Sequence, residues 1–242
     1  MYASLSLISL FVLVNAQLEI PDYIHICHRS DPNVADCIKS SVELLRPRLK
    51  EGIPELNVPS LEPFYVPDYD FGKGSSSLKI LLKNTVAYGA SEFEIVKLKV
   101  NVPDLTFGIQ VLIPLIKLEG DFDINAQIVI PFKGQGRYSI NASRGFGDAI
   151  LYAEPKDGNG EYHLHFQRLE LKVNVSEFHI ALASPNFSNS LLIQTADNIV
   201  NQHKELFLEI LMPLMERQLS VILLDIANKI TKNFKYEEVF PE

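Results

Sequence analysis

Between Leu78 and Ala183 apolar side chains recur at every second position. Leu105, Phe107, Ile109, Val111 and Ile113 form one such series, Phe122, Ile124, Ala126, Ile128 and Ile130 a second, and Tyr138, Ile140 and Ala142 a third. A period of two marks strands with one buried face. Glycine-containing breaks at Glu119-Gly120, Lys133-Gly134-Gln135-Gly136 and Asp157-Gly158-Asn159-Gly160 predict turns between them. No helical pattern intervenes, so an antiparallel meander is expected. The alternation slips three times. Phe93 and Ile95 give way to Val96, Leu98 and Val100; Tyr162, Leu164 and Phe166 give way to Leu169, Leu171, Val173 and Val175; these give way to Phe178, Ile180 and Leu182. Each slip requires an extra residue, near Gln167-Arg168 and Ser176-Glu177 in the last two, and repeated bulges curl a sheet.

Helical periodicity flanks this region. Asp31-Pro32 puts a capping residue before a proline at the first helical position. The helix is expected to run to Lys50, bend at Pro47 and stop at Gly52, with Ile38, Leu45 and Leu49 on its inner face. The prolines from Pro54 to Pro67 forbid helix or central strand there. At the other end, Ser188 or Asn189 caps a helix expected to reach Phe234. Ile199, Leu206, Ile210, Leu214, Ile222, Ile226 and Ile230 recur at its spacing, joined by Phe207, Leu211 and Leu223. Straight, it would be about 67 Å long, against about 45 Å for a compact sphere of this chain length. Either the molecule is elongated or the helix folds back at Pro213. The concave face of the curled sheet is its natural partner. The class expected is α+β: one elongated domain, a long C-terminal helix wrapped by a strongly curved antiparallel sheet.

The first sixteen residues change the cellular picture. Leu5 to Val14 is apolar and Val14-Asn15-Ala16 is a small-residue cleavage site, so residues 1–16 read as a secretory signal and 17–242 as the mature domain. Ten apolar residues are too few to span a bilayer. A net charge of −8 opposes nucleic acid and anionic lipid surfaces, and no basic cluster longer than Arg46-Pro47-Arg48 offsets it. Cys27 and Cys37 are the two cysteines, and in a secreted chain they read as one disulfide. Asn141, Asn174 and Asn186 each begin an N-x-S sequon; Asn141 and Asn174 fall on the outward phase of their strands.

Catalytic chemistry finds no foothold. No G-x-S-x-G or strand-turn-helix context presents a serine. His163 and His165 share a strand face without a third ligand, and their outward phase places them toward solvent. Gly134 to Ser139 joins two strands and opens no helix, unlike a phosphate loop, and Gly72-Lys73-Gly74 lacks the P-loop spacing. The chain reads as a non-enzyme with no metal and no cofactor. Phe107, Ile109, Phe122, Ile124, Tyr138, Ile140 and Phe166 on strands, and Phe207, Leu211, Leu214 and Met215 on the helix, are the candidates to line a tunnel. The same residues equally suit a filled core.

The stretch from Pro54 to Pro67, Pro-Glu-Leu-Asn-Val-Pro-Ser-Leu-Glu-Pro-Phe-Tyr-Val-Pro, resembles a signature of the takeout and juvenile hormone-binding protein family of insects. Cys27 with Cys37, Leu49-Lys50-Glu51-Gly52-Ile53, the strand, Gly-x-Gly and strand from Ile128 to Ile140, and the ending Tyr236 to Pro241 are similar in order and spacing. The resemblance implies a tubular lipid-binding (TULIP-like) fold around an internal hydrophobic tunnel, and a secreted carrier of a small hydrophobic ligand such as a terpenoid hormone or fatty acid. With no cysteines for a second disulfide, the chain is nearer the takeout branch. A membrane-docking lipid-transfer protein of the same fold and a structural or signalling protein with a filled core are the alternatives.

Overall fold

The period-two segments fold into a single antiparallel sheet in the computed structural model, which describes residues 19–72, 78–127, 131–158, 160–183, 195 and 198–242. Among these residues the strands are β1 (Phe64–Val66), β2 (Tyr69–Asp70), β3 (Leu78–Tyr88), β4 (Glu94–Asn101), β5 (Thr106–Gln127), β6 (Pro131–Gly158) and β7 (Glu161–Ala183). The order is β1-β3-β5-β6-β7, with β2 on β3 and β4 on β5. β7 is therefore an edge.

Two of the three expected turns lie inside strands. Gly120 pairs with Tyr138 in the middle of β5, and Gly134 and Gly136 pair with Ile124 and Phe122. The Lys133–Gly136 hairpin is thus corrected: β5 and β6 close at Gln127 and Pro131. Glycine serves close approach here. A Cβ on Gly120 would lie 3.0 Å from the Tyr138 hydroxyl and 2.9 Å from the Lys83 carbonyl. The third turn stands where expected, with Gly158 opposite Glu161 and Gly160 at φ +89°. Strands of 22 and 28 residues result, about 70 and 90 Å if straight. Only an elongated, curled sheet holds them.

The slips are real, and they take two forms. Register shifts fall between Ile95 and Lys97 on β4 and beside Gln167, between the pairs Tyr152–Arg168 and Ala153–Phe166. Val96 is itself the displaced residue, 53 % exposed rather than inward. The third slip shifts nothing: Ile113–Gly145–Val175 and Leu115–Ser143–Glu177 are paired rows, and Pro114, Arg144 and Ser176 drop out between them. Arg144 takes φ +51°, and Ser176 Oγ donates to its carbonyl at 3.4 Å. Because β5, β6 and β7 each give up a residue at one level, the inward phase flips across all three together. This crease, not a turn at Glu119-Gly120, brings both Phe107 and Phe122 to the concave side. The β3–β4 connection passes over it at Gly89, where a Cβ would lie 2.3 Å from the Leu115 carbonyl.

Helix α1 is Val34–Glu51 and ends at Gly52 as expected. Asn33, not Asp31, is its N-cap; the Asp31 carboxylate instead accepts the Asn33 N–H at 2.7 Å. Helix α2 is Lys204–Thr231 and runs unbroken through Pro213. The interruption lies at His203 (φ −113°, ψ 39°), after helical residues 198–202. The expected caps Ser188 and Asn189, residues 1–16, Ile128, Ile130 and Asn186 lie outside the described residues. A short helix, α3 (Tyr236–Val239), ends the chain. No helix among the described residues is long and apolar enough to cross a membrane.

Close packing concentrates at one end. Cys27, Val34, Leu105, Leu164 and Phe240 form one buried cluster; Ile53, Leu56, Val58 and Phe234 form another. The Cys27–Cys37 disulfide is present there. Arg29 pairs with Glu237 at 2.7 Å and Lys235 with Glu161 at 2.6 Å, tying the tail across this end.

Candidate functional site

Inward side chains of β5, β6 and β7 stand in rows: Phe107–Leu151–Leu169, Ile109–Ala149–Leu171, Val111–Gly147–Val173 and Ile113–Gly145–Val175. The outer columns are uniformly large. The middle column shrinks from leucine through alanine to two glycines. A trough therefore runs down the middle of the concave face, floored by backbone and walled by branched aliphatics. A Cβ on Gly147 would meet Leu171 Cδ1 at 3.9 Å, and one on Gly145 would meet Ile113 at 3.7 Å; no described atom of α2 comes within 4 Å of either. Gly145, Gly147 and Ala149 remain half-buried although they occupy the inner face of a central strand. Sequence reasoning missed them; the alternation of small residues with Phe146 and Asp148 was the available signal.

Helix α2 lies along the free edge of β7, held there by polar side chains. Asn228 accepts the Phe166 N–H and donates to the Phe166 carbonyl, both at 2.8 Å. Glu216 accepts the Val173 N–H at 2.9 Å and Lys172 Nζ at 2.9 Å. Asn201 donates to the Ile180 carbonyl at 2.9 Å and accepts its N–H at 3.4 Å. The gripped residues are seven apart. Along an unbroken strand, positions seven apart point their peptide groups to opposite sides. One slip in each interval restores the direction, so Phe166, Val173 and Ile180 all present N–H and C=O to the free edge. The bulge and the crease thus set up the attachment of α2.

The helix is held by its polar groups and left loose at its apolar ones. Its buried residues are Glu216 and Thr231, 8 % and 7 % exposed. Phe207, Leu211, Leu214 and Met215 are half-buried, while Leu206 and Leu223, expected inward, are exposed. In a filled core, the apolar side chains would be the buried ones.

The sheet candidates divide similarly. Phe107, Phe122 and Tyr138 are buried; Ile109, Ile124, Ile140 and Phe166 are half-buried. The Phe107 ring lies edge-on to Phe166 at 6.1 Å and near Phe240 at 6.3 Å, closing the packed end. Tyr138 OH and Thr85 Oγ1 share a buried hydrogen bond of 2.6 Å, and burial holds the Tyr138 pKa above the ordinary phenol value. An open pocket of about 350 Å³ lies at the crease, where Ala142, Phe178 and Lys204 meet the exposed Asn141, Glu177 and His179.

Three side chains depart from expectation. Tyr162, read as inward, is 59 % exposed because it lies at the hairpin tip beyond the core. His163 and His165 are half-buried rather than solvent-facing: the C-terminal chain folds over that face, and His163 Nδ1 donates to the Phe234 carbonyl at 2.6 Å. His25 approaches Cys27 and Cys37, but both sulfurs are consumed in the disulfide, leaving no thiolate for a metal.

The haemolymph juvenile hormone binding protein (JHBP) family matches this chain over residues 6–241. The chain belongs to that family. Takeout 1 of Epiphyas postvittana superposes with a TM-score of 0.75 at 18% identity, covering 90% of this chain and 100% of that one. That likeness establishes the JHBP chain's fold as the takeout one, a single domain of TULIP-like type. A lipopolysaccharide binding protein is a more distant neighbour, with a TM-score of 0.41 at 12% identity over 84% of this chain and 39% of that one. No curated protein matches.

Proposed function

We propose that this JHBP-family chain is a secreted carrier, not an enzyme, that holds a small hydrophobic molecule between α2 and the concave face of the sheet. The observation that carries the reading is the glycine-floored trough on the sheet, flanked along β7 by a helix whose apolar side chains are half-buried. Against a filled interior stands the cost of leaving such a floor uncovered at the centre of a sheet. The family's printed name, a hormone-binding one, supports the ligand class. The disulfide and the apolar residues 1–16 support secretion of a mature domain from Gln17 onward.

The energetics suit a long aliphatic or terpenoid ligand. Burying about fifteen carbons at about 0.8 kcal/mol each is worth roughly 12 kcal/mol. Association costs of several kcal/mol leave micromolar affinity or better, which needs about 8 kcal/mol. Few polar contacts are then required, and Tyr138 with Thr85 supplies a polar point in an otherwise apolar lining. Ile109, Ile124, Ile140, Phe207, Leu211, Leu214 and Met215 are the proposed wall. Phe107, Phe122 and Phe166 would bound it where the core is densest.

Solvent extraction of protein secreted from eukaryotic cells, followed by mass spectrometry, tests this. Near-stoichiometric fatty acid, terpenoid or similar lipid is expected. Protein that yields no lipid, and takes none up when incubated with these classes, overturns the reading.

A further inference from the structure

The convex face carries a row of its own. Glu94, Leu112, Phe146 and Asn174 stand opposite one another on β4, β5, β6 and β7. Phe146 is 46 % exposed, Asn174 is exposed, and Val96 on the neighbouring bulge is 53 % exposed. The surroundings are polar. Gln110, Asp148 and Lys172 form the adjacent outward row, in which Gln110 Nε2 donates to Asp148 Oδ1 at 2.7 Å. Arg144 lies exposed at the crease on the other side. An exposed ring rimmed by polar groups marks a contact surface, and the residue across the strand from it begins a sequon.

Side chains directly opposite in antiparallel strands have Cβ atoms about 5 Å apart. A sugar joined to Asn174 Nδ2 therefore begins about one ring's width from Phe146. One face of such a pyranose presents C–H groups, apolar and slightly positive, and an aromatic face is slightly negative. The two surfaces fit, and their contact removes Phe146 from water.

We propose that Asn174 carries an N-linked glycan whose first N-acetylglucosamine lies on the Phe146 ring. The inference rests on the secretory route proposed above. In the modification, Asn174 Nδ2 loses a proton and bonds to C1 of the sugar, and the polyprenyl pyrophosphate of the lipid-linked donor leaves. The transfer precedes folding, so the place of Asn174 within β7 does not obstruct it. The glycan's role is then structural: it covers an apolar spot that the convex face otherwise presents to other proteins.

The test begins with glycopeptide mass spectrometry of protein secreted from insect cells. It continues with thermal unfolding of an Asn141→Gln, Asn186→Gln form, so that Asn174 is the remaining sequon. Three states are compared: intact, trimmed to a single N-acetylglucosamine, and fully stripped. Trimming is expected to leave Tm within about 1 °C, and stripping to lower it by about 2–4 °C, the response of a chain this size to a modest contact. With Phe146→Ser added, stripping is expected to leave Tm unchanged. An occupied Asn141 beside a bare Asn174 overturns this inference alone. Glycan at none of the sequons overturns the secretory reading with it. Equal losses with and without Phe146, or a bare Asn174 with copies joined through Phe146, assign the ring elsewhere.

Discussion

Asn228 and Glu216 do for β7 what a further strand would do. An edge strand leaves every second N–H and C=O unpaired, and such edges invite association with other chains. Here side chains from α2 take up those groups at Phe166 and Val173. Replacing Asn228 with leucine strands two partly buried backbone groups, and should cost about 2 kcal/mol in urea unfolding. Glu216→Gln keeps an acceptor for the Val173 N–H and loses mainly the ion pair with Lys172, whose side chain is 80% exposed. That change should cost less than about 1 kcal/mol. Equal losses would mean that the grip is electrostatic. Tyr23 offers a pH test. Burial, then its hydrogen bond to Glu55, raises its pKa to about 12. A phenol with a raised folded pKa contributes stability that is complete below its unfolded value near 10 and is lost between there and about 12. Absorbance titration should show Tyr23 and Tyr138 ionising above the exposed tyrosines, and Glu55→Gln should lower the Tyr23 midpoint alone. These roles were not legible in the sequence. An asparagine in a helix reads as a solvent contact until the position of the sheet edge is known.

At the scale of elements, the slips at Gln167-Arg168 and Ser176-Glu177 could be read directly, because a change of parity in an apolar series has no other cause within one strand. What they accomplish could not be read. Alternation reports which way a side chain points, whereas the grip on β7 depends on where the peptide groups point. The glycines misled for a related reason. Gly120, Gly134 and Gly136 look like turn residues but pair within strands, and at Gly120 the Tyr138 ring and the Lys83 carbonyl are what call for a missing side chain. The trough yields a prediction of opposite sign under the two readings of the interior. Gly147→Val adds a β-branched residue to a strand, where a Cβ meets a single methyl at 3.9 Å. It should raise stability by about 1 kcal/mol. In a filled interior the same change overpacks, with a loss of about 1–3 kcal/mol. Thermal unfolding of lipid-free protein distinguishes the two by sign.

The whole molecule was the most legible scale. A meander of long bulged strands leaves few arrangements open, and the curled sheet with α2 along its edge is one of them. The helix was less legible, since the break at His203 leaves α2 with 28 residues, about 42 Å, where about 67 Å was expected. The interior was the least legible. Phe122 and Leu211 carry the same apolar signature whether they touch each other or touch a ligand, and only the small residues between the walls separate the cases. The central claim is that the space over Gly145, Gly147 and Ala149 receives a lipophilic molecule. It is tested most directly by titrating a fluorescent fatty acid into delipidated protein beside its Gly147→Leu variant, with circular dichroism confirming that both are folded. Micromolar or tighter binding to the native chain is expected, and affinity at least about tenfold weaker in the variant, whose added side chain excludes at least about two methylenes' worth of ligand. Failure of the native protein to bind at tens of micromolar, or equal binding by both, would contradict it.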